Sequence, residues 1–582
     1  MTAPHEFAVW APGAGKVDLL LAEERFPMTR DDRGWWRLRA GSAADAAYAF
    51  SLDGGEPRPD PRGLRLPEGP HGWSQRHDPA GFAWTDRGWA GAPLEGAVLY
   101  ELHVGTYTPE GTLDAAADRL DHLAGLGVTL VELLPLAPFP GRHGWGYDGV
   151  APYAVHEPYG GPAALQRFVD RAHRLGLGVC LDVVYNHLGP DGNYLGEFGP
   201  YLTDRHTTPW GPALNLDAPG SDEVRRWVLD NLRQWFEDFH LDALRLDAVH
   251  ELHDDRATHL LEEMARETDT LAARLGRPLL LVAESDRNDP RTVTPRGAGD
   301  AVGGLGLHAQ WADDVHHALH VALTGESQGY YGDFADDPAA LATVLRSPFF
   351  HAGTWSSFRG RAHGRPVDAA TVPGHRFVAS LQTHDQVGNR ATGDRLSATL
   401  DPGRLACGAA ILLTSPWTPM LFMGEEWGAR TPWQYFTDHT DPGLAEAVRQ
   451  GRRSEFAAHG WDRADVPDPQ DPQTVVRSRL DWSEPGREPH DRLLRWYRDL
   501  VRLRRERPDL HDGRLDAVEV AWHHADRRLR LRRGGHDVLV NLADEPWPAD
   551  GAGTVLLSWE PGVEVAGGTV IVPPRSAVIL VR

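Results

Sequence analysis

Apolar positions along the chain follow three successive patterns. Up to about residue 90 they form short alternating runs, FAVWAP, KVDLLL, GWWRLRA and AAYAFSL, separated by turn residues and without a helical period. Alternation of this kind marks half-buried strands, so residues 1–92 are expected to form a small β-sandwich. The Pro/Gly-rich stretch PRPDPRGLRLPEGP at 57–70 leads toward a new unit. From about 97, continuous apolar runs alternate with amphipathic segments. AVLYELHVG is followed by the helical period of LDAAADRLDHLAGLG, and VTLVELLPL by AALQRFVDRAHRLG. LGVCLDVVYNH is followed by VRRWVLDNLRQWFEDF after a short polar insert at 188–217. Further strands are LDALRLDAVH, PLLLVAESD, GLGLHAQW, RFVASLQTHD and TPMLFMGEE, and RLLRWYRDLVRLRRE closes the series as a helix. Strands buried on both faces and separated by helices specify a parallel sheet. Eight of them, with no dinucleotide-type glycine turn after the first, predict a closed (β/α)8 barrel over 93–510 rather than a doubly wound sheet. From about 511 the alternation returns, in LDAVEVAWHH, RLRLRRG, HDVLVNLAD and TVIVPPRSAVILVR, and predicts a second β-sandwich over 511–582. The expected fold class is α/β, a TIM barrel flanked by two β-sandwich domains.

Composition narrows the chemistry. The formal net charge is −24 and no basic run is long enough to follow a phosphate backbone, which argues against nucleic acid and for a neutral substrate. Lys16 is the only lysine, which excludes Schiff-base and pyridoxal-phosphate chemistry, since both need an active-site amine. Cys180 and Cys407 lie in apolar segments at no metal-ligand spacing and are expected to be reduced core residues. No apolar run reaches the ~18 residues that span a bilayer, and MTAPHEFAVW lacks a basic region followed by an apolar one, so a cytoplasmic protein without membrane contact is expected. GAGK at 13–16 is too short for a phosphate loop and lacks its Ser/Thr. HELHD at 250–254 does not have the zinc spacing His-Glu-x-x-His, so His253 reads as a loop residue.

In a (β/α)8 barrel the chemistry sits at the C-terminal ends of the strands, which gives weight to polar residues that terminate apolar runs. Four ends qualify: Asp182, Asn186 and His187 in LDVVYNH; Arg245, Asp247 and His250 in LRLDAVH; Glu284 in LLLVAES; and His384 with Asp385 in SLQTHDQ. Two carboxyl groups flanking a bond are the minimum for glycosidic cleavage, one as nucleophile or base and one as proton donor. Asp247 and Glu284 stand on consecutive strands. Arg245, two residues before Asp247, shares its side of the strand and would keep it ionised. The apolar run before Glu284 would desolvate that carboxyl and keep it protonated. Among the 21 tryptophans, Trp145 and Trp210 are candidate platforms for a sugar ring.

The segments DVVYNH, LRLDAVH, VAES and QTHD, in this order and spacing, resemble the four signature regions of the α-amylase superfamily, glycoside hydrolase family 13. The resemblance covers the barrel, and the flanking β-domains suit it. It implies a retaining glycosidase in which Asp247 is the nucleophile, Glu284 the general acid and base, and Asp385 a holder of the hydroxyls of the distorted sugar. It further implies that His187 and His384 bind hydroxyls in the same subsite, that Arg245 orients Asp247 while Asp182 holds Arg245, and that Tyr147 in HGWGYDG stacks on the sugar. No redox or organic cofactor is needed. Some family members bind calcium near the position of Asn186, but the 188–217 insert shows no oxygen cluster, so no metal is expected.

WAP in FAVWAP and YELHVGTYTPEGT resemble the subgroup acting on α-1,6 branches or modified chain ends. PEGTLDAAADRLDHLAGLGVT, WGPALNLDAPGSDEVRRW, AESDRNDP and QTHDQVGNR are similar to members that cut the α-1,4 bond beside a terminal trehalose. The implied substrate is maltooligosyltrehalose or a related α-glucan. A branching or debranching activity is the alternative, and a noncatalytic glucan-binding protein a remoter one.

Overall fold

The computed structural model describes residues 4–22, 24–297, 303–458 and 466–582. The alternating N-terminal runs become two antiparallel sheets. One pairs Pro4–Trp10 with Trp35–Gly41 and Thr29–Arg30; the other orders Glu24–Pro27, Val17–Leu21, Ala47–Leu52 and Ser74–Gln75. Phe7 of the first meets Tyr48 of the second edge to face, ring centroids 5.0 Å apart, and Val9, Val17, Leu19 and Phe50 are buried with them.

Eight parallel strands then close in chain order: β1 (Leu99–Leu102), β2 (Leu130–Leu133), β3 (Gly178–Val183), β4 (Ala243–Leu246), β5 (Leu280–Ala283), β6 (Ala309–Trp311), β7 (Phe377–Ser380) and β8 (Thr418–Phe422), which returns to β1. Side chains alternate between two cores, as the pleat requires. Leu99, Leu130, Cys180, Ala243, Leu280, Ala309 and Val378 fill the barrel interior, whereas Val131, Leu181, Leu244, Leu281 and Phe377 pack with the surrounding elements. Two residues further along the inward set come Glu101, Glu132, Asp182, Arg245 and Trp311. Register places Glu101 opposite Glu132 and Asp182 opposite Arg245. A polar layer thus lies directly on an apolar one, and the barrel is sealed below and functional above.

The helices Gly161–Arg174, Ser221–Glu237, Leu260–Leu275, Asp313–Thr324, Pro402–Thr414 and His490–Glu506 cover the barrel. Their limits follow local chemistry. Asp401 caps Pro402–Thr414 by accepting from the Arg404 amide at 3.1 Å with proline in the first position, and Leu260–Leu275 stops at Gly276, φ +70°. The strand–helix alternation has one gap: among the described residues, β5 and β6 are joined by only a short 3-10 turn, Pro290–Thr292. Pro290, Pro295 and the glycines that follow prevent a helix there. Conversely, Pro442–Ala458 and Pro472–Arg477 are helices in a stretch where no element is expected.

The insert after β3 folds into a turn, Leu195–Phe198, and a hairpin, Leu202–Thr208 with Gly211–Leu214. Beyond the barrel, a five-stranded sheet and a three-stranded sheet enclose a separate core of Leu539, Val578 and Leu580 against Ala549, Val570 and Val572. No helix among the described residues is long and apolar enough to cross a membrane.

Candidate active site

Arg245 of β4 organises the mouth of the barrel. Its Nη1 donates to both oxygens of Asp182, at 3.0 and 2.9 Å, and to Oδ1 of Asp247 at 2.6 Å; its Nη2 lies 3.7 Å from Oε2 of Glu284. The guanidinium rests 4.5 Å from the ring centroid of Trp311. Asn186, just after β3, flanks Asp247 from another side, donating from Nδ2 to Oδ2 at 2.7 Å and to the main-chain oxygen at 2.8 Å. Asp247 therefore accepts from a guanidinium and an amide. Both are partners that suit a carboxylate.

Glu284 has a different environment. Among the described residues its carboxyl accepts one hydrogen bond, from the Ala248 amide, 2.6 Å from Oε2. Ala248 reaches it from the left-handed region, φ +38°, ψ 52°, which costs a non-glycine residue about 1–3 kcal/mol. The strained residue directly after Asp247 thereby aims its N–H at the acid of the next strand. Burial raises the Glu284 carboxyl to about 8; Arg245 opposes the shift, and the charges of Asp247 and Asp313 add to it. Burial likewise raises Asp182, to about 6, against the pull of Arg245.

A second chain of hydrogen bonds enters from β1. Glu101, buried, accepts from the His384 amide at 2.8 Å and pairs with His384 Nδ1 at 2.6 Å. His384 Nε2 lies 2.8 Å from the Tyr147 hydroxyl, which donates to Oδ2 of Asp182 at 2.7 Å. Burial alone would lower the imidazole, yet Glu101 outweighs it and holds His384 at about 9. The charged imidazole then donates from both nitrogens. Replacing Glu101 by Gln removes the pairing charge, and the imidazole is expected to fall from its parent value of about 9. NMR titration of the His384 ring checks this, and an unchanged midpoint would remove Glu101 from the network.

The remaining expected residues divide. Tyr147 is half-buried with its ring stacked on His384, centroids 5.2 Å apart. His187 faces the Tyr147 carbonyl with Nε2 at 2.9 Å and Asn186 Oδ1 with Nδ1, and Trp210, 52% exposed on the insert hairpin, stacks on its ring at 4.3 Å. Asp385 is exposed at the start of a short helix, and Asn389 donates to its Oδ1 at 2.6 Å. His250 accepts from the Asp286 amide at 3.4 Å and so links the turns after β4 and β5.

Comparison with known proteins places this site in a family. The alpha-amylase catalytic-domain model matches residues 75–204, the stretch that carries Tyr147, Asp182 and His187. The malto-oligosyltrehalose trehalohydrolase of Rhizobium sp. (strain M-11) is 54% identical over 99% of this chain and 97% of its own. That of Arthrobacter ramosus is 55% identical over 99% of each. The chain belongs to the malto-oligosyltrehalose trehalohydrolase family. The crystal structure of a Salmonella typhimurium protein described as a "putative alpha amylase" superposes with a TM-score of 0.90 at 37% identity, covering 100% of this chain and 99% of that one.

Within this trehalohydrolase family framework, two sequence expectations change. Trp145 offers no open face for a sugar. It is buried, stacks on Trp433 at 4.5 Å, donates from Nε1 to the Gln434 carbonyl and meets His384 edge-on. The aromatic stretch after β8 covers it, and its role is to back His384. The ring nitrogens of His187 and His384 all face protein partners, so neither histidine presents a free donor to a hydroxyl in this arrangement. The open polar atoms belong instead to Asp385, Glu284 and Asp313.

Sequence reasoning passed over Glu101, Glu132, Trp311, Asp313 and Asn389. Glu132 is buried beside Glu101 and Asp182, which together with burial drive its carboxyl well above the usual range. The signal for the first four was the two-residue inward alternation of β1, β2 and β6. Beside the insert hairpin, His206 of its first strand, Asp217 just after its second and Asp255 of the loop after β4 bring three potential ligand atoms within 4.8 Å of one another. Arg205 lies 3.6 Å from Asp217 and 3.1 Å from Asp255, so one guanidinium already pairs with both carboxylates.

Proposed function

We propose that this chain hydrolyses the α-1,4-glucosidic bond beside the terminal trehalose of maltooligosyltrehalose, with retention, releasing trehalose and a shortened maltooligosaccharide. The observation that carries the chemistry is one guanidinium shared by two unlike acids: Arg245 binds Asp247 directly and stands 3.7 Å from a Glu284 that burial keeps protonated. Asp247 attacks the anomeric carbon as the Glu284 proton passes to the departing trehalose oxygen, leaving a covalent glycosyl-Asp247 ester. The Glu284 carboxylate then takes a proton from water, whose oxygen attacks the same carbon and frees Asp247. Asp385, open to the cleft, accepts from ring hydroxyls. The cation of His384 and the Tyr147 hydroxyl tie Asp182, and through it Arg245, to β1.

The choice of trehalose as leaving group rests on family membership, since the relatives named above are trehalohydrolases. Cys180 and Cys407, buried and unpaired, suit the reducing cytoplasm in which we place the enzyme. Incubation with maltooligosyltrehalose, maltoheptaose and a branched glucan, with chromatographic separation of products, is expected to yield free trehalose from the first and little from the others. New α-1,6 linkages, or linear chains released from the branched glucan, would replace this reading by a branching or debranching one.

A further inference from the structure

Most acids at the barrel mouth are held by protein hydrogen bonds. Asp314 shows the usual case: its Oδ2 accepts from Asn288 Nδ2 at 2.8 Å and from the amides of Phe350 and His351 at 2.8 and 2.9 Å. Asp313, beside it on the first turn of the helix that leaves β6, is half-buried and has no hydrogen-bond partner among the described residues. It stands two residues beyond Trp311, itself two beyond Ala309, and both of these face the barrel interior. Around the rim β6 lies between β5, which carries Glu284, and β7, which carries Asp385. Burial, then the charges of Asp385 and Asp314, raise the Asp313 carboxyl to about 7, and its own charge acts on Glu284 and Tyr330. Desolvating a carboxyl is unfavourable; Arg245 opposes the cost in part, but no protein hydrogen bond among the described residues offsets it. A ligand rich in hydroxyls would.

The ring under attack is bounded by Asp247, Asp385 and Tyr147, and Glu284 addresses the oxygen on its far side. Just past the strand next to that of Glu284 around the rim stands Asp313, whose charge acts on the Glu284 carboxyl. We infer that Asp313 accepts hydroxyl hydrogen bonds from the leaving-group sugar and is a specificity-determining residue on the side of the cleft where trehalose departs. This rests on the hydrolytic reading above and assigns it a residue on the leaving-group side.

The test compares Asp313→Asn and Asp313→Ala with the parent enzyme on maltooligosyltrehalose and on 4-nitrophenyl α-maltotrioside, whose leaving group has no sugar hydroxyls. Melting temperatures identify any variant that fails to fold, and the isosteric Asn variant guards against that outcome. In both variants kcat/KM is expected to fall about 10–30-fold further on the sugar leaving group than on the aryl one. Equal losses on the two substrates would mean that Asp313 serves the ring under attack and not the leaving group; a sugar-specific loss that disappears at acidic pH, where Glu284 is protonated in parent and variants alike, would mean that it acts only through the charge state of Glu284; and no loss would mean that it touches nothing. Any of these results overturns the assignment. If the parent enzyme releases no trehalose, the proposed function fails instead, and maltoheptaose replaces maltooligosyltrehalose in the comparison.

Discussion

Glu284→Gln is expected to lower kcat on maltooligosyltrehalose by about 1,000-fold, near the middle of the range for loss of a general acid, with KM little changed. The amide matches the carboxyl in shape and keeps an acceptor for the Ala248 N–H, 2.6 Å away in the parent, so the mouth should remain assembled. What it lacks is a transferable proton. The pH profile sharpens the expectation. The form that acts first is the protonated one, and burial raises this carboxyl to about 8, so activity should persist through neutrality and fall as the pH rises through that value. The residual activity of the Gln variant should not show that alkaline limb. A substrate with a fluoride leaving group needs no protonation, and its first step should be nearly as fast in the variant as in the parent. Turnover of maltooligosyltrehalose within tenfold of the parent would end the assignment of Glu284 as acid.

The sequence made the barrel legible because parallel strands buried on both faces are continuous apolar runs and cannot be mistaken for half-exposed ones. The acids that end those runs, Asp247 and Glu284, stand out for the same reason: a charged residue closing LRL or LLLVA has no apolar explanation. Glu101 is equally polar and equally inward, but it sits inside YELHVG, before the strand end. Only its pairing with His384, which arrives 283 residues later, gives it a task. Asp313 was hidden differently. Acids are common in the first turn of a helix, where they favour the macrodipole, and ADDV reads as that alone. The distinction between Asp313 and Asp314 is tertiary: one carboxyl meets two backbone amides and Asn288, and the other meets none. Trp145 shows the reverse error. Its position in HGWGYDG suggests a platform, but the covering ring of Trp433 comes from beyond β8, and no local pattern announces it. The missing helix between β5 and β6 was legible in principle, because Pro290 and Pro295 forbid it.

Asp247→Asn is expected to cut activity by at least about 10,000-fold, the scale on which loss of a covalent nucleophile is felt, and on every substrate whatever its leaving group. An amide cannot form the ester, and a better leaving group does not help. This separates the two acids. With a maltosyl fluoride, Glu284→Gln should complete the first step and then stall, since no carboxylate remains to take a proton from the attacking water. The glycosyl group should then accumulate on the peptide that carries Asp247, as a mass increase of one maltosyl unit. Asp247→Asn under the same conditions should show no adduct. The variant should still fold, because Arg245 retains both oxygens of Asp182, at 3.0 and 2.9 Å. The same substitution removes a like charge beside Asp182, so that carboxyl should drop from about 6 toward the ordinary range as the guanidinium pairs with it alone. An adduct on any other residue, or its appearance in Asp247→Asn, would move the nucleophile elsewhere on the rim.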